Sequence, residues 1–355
     1  VGVVGVTVND LLYKWRINDG DITNEIKAVK KYVKILKERG NEIIIALTHI
    51  GLKKDKKLAR KVPELDLIVG GHSHDTLHEV HYEKSKKGKY IPIVQAGKHA
   101  QWLGKIILDY NKTTKKISIN SYKLLPVESS HKNEEIEEEI KMANDNLEDQ
   151  YGASWLNETI GHSLIPPINK GGKSKIWHYY INESMKEASD SDFSVHVSAL
   201  SGDNYPTGPI TRRKIYNSNP RTFEFDHQMG YNVYTSRIKG LWLSIVFRVA
   251  MRFGLPLYFS GVTFDYKKVG SSKYSDRYRV KNIRFKGKRI NPFKYYKVSM
   301  CEAIVRGGYA ITPWVKLLLK FPDNYKISMW QAIIDKVKKD KIVRPIENLN
   351  NSLFI

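Results

Sequence analysis

The sequence predicts an α/β protein, and three observations carry that expectation. Short apolar, β-branched runs alternate with stretches whose apolar residues recur at helical spacing. Histidines stand directly behind two of those runs, at Thr48-His49-Ile50-Gly51 and at Gly70-Gly71-His72-Ser73-His74-Asp75. An acidic stretch near the middle separates two regions that each show the alternation, and in such layers the loops at strand ends carry the chemistry.

The elements follow in order. Residues 1–7 read as an apolar core strand. From Thr23 to Arg39, Ile26, Val29, Val33, Ile35 and Leu36 recur at roughly helical spacing, and Gly40 supplies a stop. Ile43 to Leu47 reads as a buried strand, about Lys54 to Val62 as a lysine-rich helix, and Leu67 to Val69 as the next strand. Strands are expected over 91–97, 104–110 and 117–125. The acidic run from Asn133 to Asp149 reads as an exposed connecting helix. The expected boundaries are therefore a first domain over 1–127, a helical linker over 128–152 and a second domain over 153–355. In the second domain a helix is expected over 176–188, then strands over 193–197, 258–266, 280–285 and 296–300, and a final helix with a charged end over 327–342.

Composition narrows the function classes. A chain of 355 residues with 41% hydrophobic residues can bury two cores of ordinary size. No run of about 18 apolar residues occurs, so no transmembrane helix is expected. The stretch Leu241 to Phe247 is cut short by Arg248 and Arg252 and reads as a buried helix. The single Cys301 excludes an internal disulfide, and its apolar surroundings read as core rather than as a catalytic thiol. The net charge of +22 suits anionic phosphorylated substrates or an anionic surface. Nucleic acid is not expected, because the lysines are scattered and no RNA-binding signature is present.

His49, His72 and His74 are the candidate metal ligands. Neutral imidazole is the commonest ligand for ions such as Zn or Mn, and the Gly70-Gly71 pair permits a tight turn from which His72 and His74 can reach two neighbouring ions. His78, His81, His99, His162, His178, His196 and His227 lack such support and read as structural or surface residues.

These two segments resemble the last two metal motifs of the calcineurin-like phosphoesterases, in their 5′-nucleotidase and UDP-sugar hydrolase branch. Val94-Gln95-Ala96-Gly97 and Leu103-Gly104 resemble the stretch that closes the catalytic domain there. The resemblance implies the C-terminal part of a four-layer αββα sandwich, followed by a mixed α/β C-terminal domain of the 5′-nucleotidase kind. It implies two divalent metal ions, with His49 and His72 on one and His74 on the other, and a metal-activated water as nucleophile. The implied substrate is a small phosphate ester such as a nucleotide. The implied location is periplasmic, secreted or cell-surface. The catalytic histidine and the earlier motifs, an Asp-x-His, a bridging Asp and a Gly-Asn-His, are expected upstream of Val1. The chain opens without Met inside a strand, so the expectation is a fragment or processed chain with weak metal binding and no hydrolysis by itself.

In the second domain, Gly208-Pro209-Ile210-Thr211, Met251-Arg252-Phe253-Gly254, the run Tyr258 to Phe264 and Arg306-Gly307-Gly308-Tyr309 resemble family segments in family order. The resemblance implies substrate contacts from Arg252, a charge-assisted partner for phosphate or carboxylate, and Tyr309, a face on which a base can stack. Other positions depart: Ser198 to Asn204 lacks the family's arginine, Pro256 stands where an aromatic is usual, and an acidic residue is missing after Gly308. A thiosulfohydrolase-like enzyme and a non-catalytic remnant of the same fold are the alternatives.

Overall fold

The computed structural model describes residues 1–9, 20–128, 132–166, 175–197, 201, 205–219, 231–255, 257–271, 276–305 and 323–345. The chain divides into two compact units, Val1–Glu138 and Glu139–Ile355. The mixed α/β class expected from the alternation is the one observed.

The first unit is built on strands β1 (Gly2–Thr7), β2 (Ile44–His49), β3 (Leu67–Val69), β4 (His81–Lys84) and β5 (Tyr90–Val94). Their order in the sheet is β1-β2-β3-β5-β4. The first four are parallel and β4 runs antiparallel to β5. Helices α1 (Glu25–Glu38) and α2 (Leu52–Lys61) are the crossovers that a parallel sheet requires. The Asn24 side chain caps α1 by accepting from the Lys27 amide at 3.2 Å, and Gly40 follows its end at φ +80°. Val29, Val33, Leu58 and Ala59 pack against Val4, Ile44 and Ala46 to form the core. Each buried Val, Leu or Ile among them contributes roughly 1.5–3 kcal/mol.

Two sequence expectations change here. β1 and β2 are not buried on both faces: Val3 and Leu47 are 56% and 55% exposed, while their neighbours Val4 and Ala46 are buried. The strand β4 was not expected, because His81-Tyr82-Glu83-Lys84 carries no apolar signature; its half-exposed edge position explains why. A hairpin of β6 (Trp102–Asn111) and β7 (Lys116–Pro126) completes this unit. The helix Glu134–Tyr151 buries none of its residues, as its charge pattern predicts.

The second unit centres on a five-stranded sheet of β9 (Phe193–Val197), β11 (Asn232–Lys239), β12 (Leu257–Ser260), β16 (Tyr295–Cys301) and β17 (Asp323–Ser328), ordered β12-β9-β16-β11-β17. One core gathers Trp177, Ile181 and Met185 of helix Lys175–Ala188 with Ile333 and Val337 of helix Met329–Asp340. Ser328 caps the latter helix, accepting from the Gln331 amide at 3.0 Å. A second core sets Phe247, Ala250 and Met251 of helix Gly240–Phe253 against Phe259, Phe264 and Val280. An apolar cavity of about 190 Å³ lies in this region, lined by Phe193, Leu243, Phe247, Phe259, Val298 and Met300 among others.

The single strand expected over 258–266 is in fact two, β12 and β13 (Thr263–Ser271), separated at Gly261. This glycine sits at φ +84°, and a Cβ there would stand 2.2 Å from the Asp192 carbonyl oxygen. The helix over Gly240–Phe253 is not a buried one: Leu241, Trp242, Ile245, Val249 and Phe253 are exposed. Cys301 is fully buried and its thiol is pushed up to about 12 by burial, which removes it as a nucleophile near neutral pH. Among the described residues no helix is long and apolar enough to cross a membrane.

Candidate metal centre

The parallel order of β2, β3 and β5 brings their C-terminal ends to one edge of the sheet, where Thr48-His49, Gly70-Gly71-His72 and Gln95-Ala96-Gly97 follow in turn. His49 closes β2, and His72 and His74 lie in the loop after β3. Both loop histidines have positive φ, +76° and +57°, a conformation that side chains other than glycine adopt only under local constraint.

Several bonds supply that constraint. The Gly70 amide donates to the Val94 carbonyl at 2.8 Å, and the Gly51 amide donates to the Gly71 carbonyl at 3.1 Å. The first amide of α2, on Leu52, would be an orphan donor at a helix end; it donates to Ser73 Oγ at 2.9 Å. With the Gln95 amide turned so that its oxygen faces the loop, that oxygen accepts from the His74 and Asp75 amides at 3.1 and 2.9 Å. Gln95 is buried, so these bonds are shielded from water.

The two glycines have separate reasons. A Cβ on Gly71 would meet His49 Nδ1 at 3.2 Å and the Thr48 carbonyl oxygen at 3.3 Å, so the His49 ring packs where a side chain would otherwise be. A Cβ on Gly70 would fall 2.6 Å from Asp55 Oδ2. Asp55 lies fully buried on α2 and accepts from Thr48 Oγ1 at 2.6 Å through its other oxygen. Oδ2 has no hydrogen-bond partner among the described residues. Burial pushes the Asp55 carboxyl up to about 6, against the opposing effect of the Thr48 hydroxyl.

His49 and His72 come together, with ring centres 5.1 Å apart and planes at 73°. Two imidazoles sharing one tetrahedral ion at ordinary bond lengths have ring centres roughly 5 Å apart, so the spacing of this pair is compatible with a shared ion. The His74 ring centre lies 6.1 Å from that of His99. The pKa of His74 is lowered, first by burial and then by Lys98, His99, His72 and His49, which favours the neutral form, the one a metal ligand requires. Among the described residues no group of three His, Cys, Asp or Glu converges closely enough to enclose an ion.

Sequence reasoning passed over His99, Asp55 and the role of Gln95. His99 had a usable signal: it follows β5, the strand beside β3, and so opens on the same sheet edge. Arg252 lies in the second unit, exposed on helix Gly240–Phe253, and lines a groove of about 250 Å³ with Arg248, Phe253, Tyr278 and Arg279. Tyr309, most of Ser198–Asn204 and Pro256 lie outside the described residues.

No family model matches the chain. Individual proteins do. The chain is 23% identical over 360 residues to Protein UshA of Yersinia enterocolitica, covering 87% of this chain and 62% of that protein. It is 31% identical over 176 residues to the human 5′-nucleotidase, covering 45% of this chain and 30% of that one. Among solved structures, a 5′-nucleotidase precursor from Thermus thermophilus superposes with a TM-score of 0.74 at 18% identity, covering 96% of this chain and 70% of that one. The chain spans from 9% to 62% of the length of the curated relatives it matches first. By sequence the chain is similar to 5′-nucleotidases and related nucleotide hydrolases, and its fold is that of a 5′-nucleotidase.

Proposed function

We propose that this protein hydrolyses phosphate esters with the help of two divalent metal ions such as Zn or Mn, its substrate being a nucleotide or nucleotide sugar. The observation that carries the proposal is the His49–His72 pair at ligand spacing on the sheet edge, beside the glycine-led loop that carries His74. His49 and His72 would hold one ion and His74 the other. Paired ions, when bound, supply charge neutralisation of the phosphate and lower the pKa of a water. The chain's own contribution is orientation. Gln95 fixes the His74 and Asp75 backbone, Ser73 ties that loop to α2, and the Asp55–Thr48 bond anchors the residue before His49. Outer residues of this kind hold ligating side chains in register.

A periplasmic, secreted or cell-surface location is part of the same reading. The experiment replaces His72 by Ala in the whole protein and measures bound metal and hydrolysis of AMP and p-nitrophenyl phosphate. Loss of metal and turnover together, with an unchanged circular dichroism spectrum, supports the proposal. Turnover near the wild-type level sinks it. A wild-type protein that folds but holds no stoichiometric metal and turns over neither ester would instead support a non-catalytic remnant.

A further inference from the structure

Helix Gly240–Phe253 turns an apolar surface outward. Leu241, Trp242, Ile245 and Val249 are 48%, 42%, 39% and 45% exposed, and Phe253 is 66% exposed. At 100° per residue these side chains, with Val246, cover one continuous stripe along the helix, opposite the buried Phe247, Ala250 and Met251. Arg248 and Arg252 border that stripe on one side.

The surroundings are strongly basic. Between residues 263 and 294, which include strands β13 and β14 (Asp276–Phe285), the sequence holds eleven lysines and arginines against two aspartates. Both aspartates are already engaged, Asp265 by Arg284 at 3.0 Å and Asp276 by Lys268 at 2.7 Å. Where the helix meets β14, Arg248, Arg252 and Arg279 line the groove of about 250 Å³, with Phe253 and Tyr278 beside them and no carboxylate among its lining residues.

We propose that this face docks on an anionic phospholipid bilayer. An apolar helical stripe containing Trp and Phe enters the boundary between headgroups and acyl chains, while flanking arginines meet the lipid phosphates. Arginine presents a planar fork of donors that suits a phosphate. The arginine groove therefore receives a headgroup, and the basic hairpin adds longer-range attraction to an anionic surface. On this assignment Arg252 meets a lipid phosphate. The inference stands apart from the metal centre and from the reaction proposed there.

The test is co-sedimentation of the whole protein with vesicles of phosphatidylcholine and phosphatidylglycerol at 7:3, against pure phosphatidylcholine. The expected result is at least tenfold stronger partitioning onto the anionic vesicles at low salt, most of it lost at high salt. Both Trp242→Ser with Val249→Ser and Arg248→Glu with Arg279→Glu should weaken it at least tenfold. Wild-type binding that is equal on neutral and anionic vesicles, or absent from both, overturns the proposal even if a variant fails to fold. So do correctly folded variants that partition like the wild type. Sedimentation velocity without lipid adds a last check. A dimer that Val249→Ser converts to monomer would make this face a contact between copies of the chain, and the proposal would fail.

Discussion

The sheet edge of the first unit and the outer face of helix Gly240–Phe253 in the second present their candidate functional residues in opposite ways. At the sheet edge, the loop that carries His72 and His74 is tied down by neighbours. Gly70, Gly71, Ser73, Asp55 and Gln95 each meet a specific partner within the layer. On the helix, the exposed residues share an environment but no fixed geometry. One region is specified atom by atom, and the other by apolarity and charge. Substitutions should therefore have large, local effects at the first and small, additive ones at the second.

The largest expected effect is at Gly70. Gly70→Ala puts a Cβ 2.6 Å from Asp55 Oδ2, so the buried carboxylate that holds Thr48 Oγ1 through its other oxygen must shift. Overpacking of this kind costs about 1–3 kcal/mol, read as a lower urea midpoint, and metal affinity should fall with it. Asp55 itself gives a pH signature of similar size. Its folded-state pKa of about 6 lies above the ordinary value of 3.8, so the folded chain binds this proton more tightly than the unfolded chain does. The associated stability is fully present below pH 3.8 and is lost as pH rises through about 6, up to about 3 kcal/mol in all. Urea unfolding between pH 4 and 8 should show that loss, and Asp55→Asn should flatten it. An unchanged slope in the variant would mean that Asp55 titrates normally.

Gln95→Ala comes next. Removing the acceptor of two loop amides should weaken metal binding by about 10–100-fold while leaving the sheet intact. Isothermal titration with Zn²⁺ and a thermal melt separate the two effects. The smallest change is expected on the helix: Leu241→Ser should move the unfolding free energy by no more than about 0.5 kcal/mol. A loss of several kcal/mol there would show that the stripe is structural, and the contrast between the regions would break down.

The same contrast explains what could be read from the sequence. The strands β2 and β3 were legible because each is a short apolar run with a histidine at or just beyond its end, and both signals are local. The mutual approach of His49 and His72 follows from two adjacent parallel strands and a glycine pair. Asp55 and Gln95 were not legible as partners of these loops. Each is a lone polar residue in sequence, and only the order β2-β3-β5 brings them to the same place. The break at Gly261 depends on close approach of the Asp192 carbonyl, a contact distant in sequence. The exposed stripe on helix Gly240–Phe253 was misread for a related reason. Composition reveals that residues are apolar but not which of them find neighbours.

Gly71 has a consequence for how this protein can change over generations. The space a side chain would need at position 71 belongs to the His49 ring, which is carried by a different strand. The two positions are thus coupled by a tight contact. A lineage that placed a side chain at 71 would have to shift the His49 ring by a few tenths of an ångström, and with it a candidate ligand. This coupling predicts paired substitution: among homologues, any departure from glycine at 71 should arrive with a smaller residue at 49.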